Sequence, residues 1–408
     1  MSQPSSPPST DHAESRSPLS RSSRPEPAPL KGPESPCPWS PSRPSLSSRQ
    51  PLHATFQESS LPAPRDLGQL LRPELYHALP PAQLPPSFRD SSRQPDSSWS
   101  IDTLLARGHF RAAAIASVQQ LTSTDIDSHN APHIFSLLYT RLACLSLVDN
   151  SGIAALEAKS LGDLNEYIDA ETGACLAPWH LRVLHARLYA LGLGEPRRVI
   201  MGYYDLVREA RTEYTRAGGD EELRAQWASR ICDLGVRVAT ALVDMGDLVG
   251  AKLHLESLRG CHKEVVLAEA LLSLWLGDVK QASLCAERAA DATQQQLILA
   301  LCEMADADYD AALAKWEKLR ESLAGDEMAG VNTAVCLIYL GRMHEGRDIL
   351  EKLVNAGFCS QTLLFNLATV YELCTERHAA LKTRLAERVA ANNESPEGWE
   401  RVNADFKL

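Results

Sequence analysis

Asn332 and Asn366, one 34-residue step apart, are the side chains in this 408-residue chain best spaced to act together. A carboxamide both donates and accepts hydrogen bonds. Two of them at equivalent places on successive helices can hold the backbone of an extended peptide. The plainer alternative is repetition alone, since asparagine recurs at such positions without a ligand. Other constellations fall short. His129 and His133 are four apart, but Pro132 between them breaks the helix that would aim both at one metal. Cys261 and His262 are adjacent and suit a single ion poorly. Gly192-Leu-Gly194 runs straight into Glu195 and Pro196 with no Lys-Ser/Thr after it, so it makes no phosphate loop. Neither HExxH nor GxSxG occurs. The expectation is a non-enzymatic protein with no metal and no cofactor, whose chemistry is binding.

The elements that must carry those asparagines show in the small residues. Ala239, Ala270, Ala300, Ala334 and Ala368 are spaced 31, 30, 34 and 34 residues apart. Seven positions after each stands Gly246, Gly277, Ala307, Gly341 or Thr375, and twelve after each stands Ala251, Ala282, Ala312, Gly346 or Ala380. The first small residue lets one helix approach its partner, the glycine ends that helix, and the second small residue receives the returning helix. A period near 34 with this triplet predicts stacked helix–turn–helix units of the tetratricopeptide type. In that repeat the first helix lines the inner surface, and its sixth position, occupied here by Asn332 and Asn366, is often asparagine. A tighter device would grip a peptide's C-terminal carboxylate. It requires a basic residue one place before each asparagine and a second amide three places after. Val331, Val335, Phe365 and Thr369 stand at those places, so that clamp is absent.

Composition divides the chain in two. Of 25 prolines, 21 fall in the first 98 residues among abundant serine and arginine. Too little clustered apolar surface remains there to offset ordering, so residues 1–98 are expected to form a disordered arm. Four Ser-Pro steps, at Ser6, Ser17, Ser35 and Ser40, are candidate phosphorylation sites in it. The segment DLGQLLRPELYHAL at 66–79 is an exception: its leucines suit a short amphipathic helix that docks on a partner or back on the body, although Pro73 interrupts it. Residues 99–391 are expected to form the solenoid, most regular over 221–391, with 392–408 as a tail. A sequence break at roughly 157–177 reads as a loop insert suited to partner selection. Arg182, Arg187, Arg197 and Arg198 cluster around one helix pair, either for an acidic partner or as an ordinary solvated face.

Charge and cysteine usage narrow the partners. The first 98 residues carry 10 basic and 9 acidic side chains, and the remainder 31 and 43. An acidic folded region argues against nucleic acid and against direct docking on anionic lipid. The most apolar stretch, 265–277, contains Glu269 and is too short to span a bilayer. No apolar signal segment opens the sequence, and ten cysteines without CxxC pairs sit mostly at apolar helical positions. Both point to a cytoplasmic protein in a reducing compartment.

Several segments go further than a generic repeat. LGDLNEYID at 161–169, PWHLRVLHARL at 178–188, NTAVCLIYLGRMHEGRDILEKLV at 332–354 and TLLFNLATVYEL at 362–373 resemble the subunit 12 family of the trafficking protein particle (TRAPP) complex. The resemblance covers roughly residues 99–408. It departs from the family pattern between Leu188 and Glu221 and again after Thr375. It implies an accessory helical-repeat adaptor in a tethering complex that acts as exchange factor for Rab-type GTPases in early secretory traffic and autophagy. Exchange there belongs to small core subunits, so no catalytic residue carries over. The implied partners are other TRAPP subunits, the large accessory ones first, and the implied location is the cytoplasmic side of ER–Golgi membranes, without insertion. From the residues alone, a stand-alone peptide receptor, such as a co-chaperone or cargo adaptor using Asn332 and Asn366, stays open.

Overall fold

A computed structural model describes residues 66–79, 86–89, 93–96, 98–169, 172–258, 263–398 and 400. Two units divide the chain, Met1–Ser59 and Ser60–Leu408, and all the described residues belong to the second. Ser6, Ser17, Ser35 and Ser40 lie outside them, as do Cys261 and His262.

One short helix, α1 (Pro86–Arg89), precedes eight antiparallel helix pairs among the described residues. These are α2 and α3 (Ile101–Ala106, Phe110–Leu121), α4 and α5 (Ala131–Leu147, Ser151–Ser160), α6 and α7 (Trp179–Leu193, Pro196–Arg216), and α8 and α9 (Glu221–Asp244, Leu248–Ser257). After them come α10 and α11 (Lys263–Trp275, Val279–Glu287), α12 and α13 (Ala292–Ala305, Tyr309–Ser322), α14 and α15 (Glu327–Tyr339, Met343–Asn355), and α16 and α17 (Gln361–Cys374, His378–Ala391). The chain is an all-α solenoid of tetratricopeptide type.

Two turn residues with opposite jobs close three of the eight pairs. Gly246 takes the left-handed conformation (φ +77°) and its N–H donates to the Val243 carbonyl at 2.9 Å. The Asp247 N–H donates to the Leu242 carbonyl at 2.9 Å, which completes a Schellman motif and satisfies the end of α8. The Asp247 carboxylate then accepts from the Gly250 N–H at 2.8 Å and caps α9. Asp278 and Asp308 repeat the cap. In the third of these turns Ala307 holds φ +62°, a conformation that costs a side chain about 1–2 kcal/mol. Asp149 (φ 57°) does the same between α4 and α5, so that turn carries no glycine signature.

The small residues pack as their spacing requires. Ala270, Ala300, Ala334 and Ala368 are fully buried, Ala239 nearly so, and Ala251, Ala282 and Ala312 are buried opposite them. A Cβ added to Gly346 would stand 3.0 Å from the Ala334 carbonyl oxygen, so the two helices cross at backbone contact. Bulk fills the space between crossings: the fully buried Trp316 donates from its indole N–H to Met304 Sδ at 3.1 Å.

Three expectations are corrected. Ala380 is exposed rather than packed, and α17 instead buries Lys382, Leu385, Ala386 and Val389. The reason lies in the turn: Thr375 is extended (φ −157°, ψ 145°), so the chain leaves α16 by another path and the returning helix is rotated. The arm boundary at 98 excludes packed residues, since Leu67, Leu70 and Phe88 are buried in the body. Segment 66–79 docks back on it as two 3₁₀ turns on either side of Arg72, the second opened by Pro73. The break at 157–177 is likewise folded down. Its first residues finish α5, and Leu164 and Tyr167 are buried, with the Tyr167 ring edge-on to Phe135 at 5.6 Å.

A charge at the crossing point has no partner and no water. Ala334→Glu or Ala368→Glu should lower the unfolding free energy by at least about 3 kcal/mol. Unchanged thermal unfolding of either variant would refute this packing register. Ala307→Gly should instead stabilise the chain by up to about 1 kcal/mol, because glycine accepts the left-handed turn; denaturant titration reads the difference.

Candidate partner-binding surface

Even-numbered helices of neighbouring pairs touch one another: α4 with α6, α8 with α10, α10 with α12, α14 with α16. Among odd-numbered helices only α15 and α17 approach comparably. The array therefore curves with its even helices on the inner side, where a partner meets side chains from several pairs at once.

Asn332 and Asn366 both lie half-buried on even helices, α14 and α16. The Asn332 amide donates to the Met328 carbonyl of its own helix at 3.1 Å. That bond commits one of its two N–H groups to the backbone one turn back and leaves the other, with the carbonyl oxygen, for a ligand.

A deeper feature on the same side is a cavity of about 520 Å³ whose lining comes entirely from α4, α6 and α8. Tyr139 and His180 meet edge to face at 4.2 Å on one wall. Trp179 meets Trp227 at 5.5 Å, again edge-on, and the Arg230 guanidinium lies 4.3 Å from the Trp227 ring and 5.1 Å from that of Trp179. Val183 and Leu191 supply apolar floor and rim. Arg237 is held by Asp233 at 2.8 Å, whereas Arg187 is exposed and makes no ion pair among the described residues. Burial, with the Arg230 charge adding to it, holds His180 below the ordinary imidazole value.

The four arginines of this region separate in space. Arg182 is buried and donates to Asn165 at 2.6 Å and to Glu209 at 2.7 Å, tying the insert to α6 and α7. Arg198 stacks on Tyr189 at 4.0 Å, Arg197 is exposed on α7, and only Arg187 enters the cavity. Segment 66–79 is fastened by a buried pair. Arg141 donates to both Glu157 oxygens at 2.7 and 3.0 Å, and to the carbonyls of His77 and Ala114. The cysteines behave as buried hydrophobes, with burial pushing Cys144 up to about 12 and Cys336 to about 11. No three His, Cys, Asp or Glu side chains converge as a metal would require, among the described residues.

Sequence gave no sign that the two ends of the array meet. A Cβ on Gly108 would stand 2.3 Å from the Ser395 carbonyl oxygen, and the Arg111 N–H donates to Glu400 at 2.8 Å. His109, only 4% exposed, lies 3.9 Å from Glu400 and 3.6 Å from Glu394. Arg107 pairs with Glu394 at 3.2 Å while its guanidinium covers the Trp99 ring. Phe88 on α1 joins the apolar cluster of α14 to α17. Glu400, then Glu394, stabilise the imidazolium and raise His109 above its ordinary 6.5, outweighing the opposing effect of burial.

These features define an all-α helical-repeat protein of tetratricopeptide type. Its sequence is similar to trafficking protein particle complex subunit 12 of Homo sapiens, 25% identical over 316 residues, covering 66% of this chain and 41% of that protein. The Mus musculus subunit 12 is 39% identical over 67 residues, 16% of this chain and 8% of that one. The resemblance to the subunit 12 family is thereby borne out, with the chain spanning about two fifths of the human relative. No protein-family model matches the chain. A tetratricopeptide repeat protein from Parabacteroides merdae superposes with a TM-score of 0.38 at 13% identity, covering 63% of this chain and 91% of that one.

The His109 contact gives the end-to-end junction a pH dependence of defined sign. A raised folded-state pKa contributes stability fully below about pH 6.5 and loses it as pH climbs through the raised value. Hydrogen exchange of residues 393–398 should therefore quicken as pH rises above about 6.5 and through the raised value, after correction for the intrinsic rate. His109→Gln should abolish that dependence; a wild-type profile in the variant would remove His109 as its source.

Proposed function

We propose that this chain is a non-enzymatic scaffold subunit of a TRAPP-type vesicle-tethering and Rab-exchange complex, acting in early secretory traffic and autophagy. The observation that carries the reading is the 316-residue similarity to human subunit 12. It falls on a helical-repeat fold of stacked antiparallel pairs. In this role stacked pairs hold a curved frame, and side chains of the even helices select other TRAPP subunits, the large accessory ones first. No helix among the described residues is long and apolar enough to cross a membrane. Attachment to ER–Golgi or Golgi membranes from the cytoplasm then runs through those subunits, and the net acidic surface leaves no role for nucleic acid.

The rival, a stand-alone peptide receptor built on Asn332 and Asn366, draws less support. One amide is bonded to its own helix, and no basic residue flanks either asparagine.

Affinity purification of the full-length chain from native extract, with mass spectrometry of a sized fraction, decides between them. The expected result is stoichiometric recovery of core and accessory TRAPP subunits in one large particle. Recovery of the chain alone, or with chaperones only, would discard the complex-subunit reading and leave the fold standing.

A further inference from the structure

The charge of the folded region is not spread evenly. From 178 to 244, the span of α6 to α8, the sequence holds 10 basic and 9 acidic residues. The stretch before it, 99–177, holds 4 and 9, and the stretch after, 245–408, holds 17 and 25. Two of the three helices that line the cavity, α6 and α8, lie in the near-neutral stretch, and the third, α4, carries Arg141 as its one charged side chain. The lining of the cavity carries Arg187 and Arg237 against Asp233. Asp233 is committed to Arg237, Arg187 makes no ion pair among the described residues, and Arg230 lies just outside the lining, 5.1 Å from the Trp179 ring.

The rest of the cavity is aromatic and aliphatic. Tyr139, Trp179 and His180 wall it, and the exposed Leu191 marks its rim. At about 520 Å³ it lies within the range of pockets that enclose a small group, and it admits a bulky side chain beside the arginines. An apolar lining with a few convergent cations selects a ligand that presents both an apolar body and a negative charge. A guanidinium meets a carboxylate most strongly where surrounding rings displace water.

We propose that this inner cavity is a docking site for an acidic, extended segment of a partner protein. An aromatic side chain of that segment enters against Trp179 and Tyr139, and an adjoining carboxylate pairs with Arg187, with Arg230 adding to the field. The assignment concerns the chain's own binding chemistry and stands whether or not the chain enters a tethering complex. It also places recognition on α4 to α8, away from Asn332 and Asn366 on α14 and α16.

The test is fluorescence anisotropy with the full-length chain and two labelled synthetic peptides, one alternating glutamates with phenylalanines and one with lysine in place of every glutamate. The acidic peptide should bind at least about tenfold more tightly than the basic one and weaken as salt is raised. Arg187→Glu, a change at an exposed residue, should weaken the acidic peptide by about tenfold or more without altering thermal unfolding. Arg230→Gln should weaken it in the same direction, and the double variant Asn332→Ala, Asn366→Ala should bind as wild type. Failure of the acidic peptide to bind, equal binding of the two peptides, wild-type affinity in Arg187→Glu, or loss of binding in the asparagine variant would each overturn the assignment. A purified particle carrying Arg187→Glu separates this from complex membership: unchanged co-purification with a weakened peptide leaves both readings in place.

Discussion

Backbone contact between Gly346 and the Ala334 carbonyl is the kind of approach on which the array depends. Helices this close bury their crossing point and splay on either side of it, so no pair can cover its own apolar face. The uncovered face becomes the seat of the next pair, and the same alanine spacing must recur for the next crossing to form. The Gly–Asp turn follows from the same demand. Where α8, α10 and α12 reverse within a few residues, a left-handed residue ends each helix and an aspartate acceptor starts its successor. Schellman closure and aspartate cap are therefore one constraint met at two adjacent positions.

A stack built this way has two ends that no repeat covers, and each end is handled by irregular chain. At the start, segment 66–79 lies over α3 to α5 and is fastened through Arg141 and Glu157, both 2% exposed. Removing either partner would strand a charge in the interior, so the pair acts as a constraint on geometry more than as a source of stability. At the other end Phe88 enters the cluster of α14 to α17, and the residues after α17 meet the α2–α3 turn. Each end thus covers part of the other. Polar caps are not needed where two termini shield one another, which accounts for a buried histidine held by two carboxylates at the junction.

What the sequence disclosed and what it withheld divide along this line. The five alanines and three of the turn glycines were legible because each position admits almost nothing else. The α4–α5 turn was not, because Asp149 holds the left-handed place without glycine's signature. Ala380 misled because composition repeats while the backbone at Thr375 does not. Segment 66–79 showed its leucines but not where they seat, which depends on a buried ion pair between residues 16 apart on two other helices. Contact between the ends depends on the summed rotation of eight pairs, a quantity no local pattern contains. Of the binding surface, the asparagines were visible as a repeat. Arg187 was visible only as one of four arginines that the fold then sends to different places.

Regularity and recognition pull apart in this molecule for a physical reason. In the most regular pairs, the small residues, caps and bulky fillers are dictated by packing, and few positions remain for chemistry. Pair α6–α7 and helix α8 are longer than their neighbours, with α7 at 21 residues and α8 at 24. The extra length carries side chains past the crossing point, where packing no longer dictates them. Trp227 and Arg230 lie in that extension, before the packed stretch of α8 that begins at Cys232. Packed against Trp179, which walls the cavity, they add an aromatic edge and a cation beside it. Departure from the repeat is thus the condition that lets one segment of an acidic scaffold acquire a surface of opposite character, while the stacking on either side holds that surface in place.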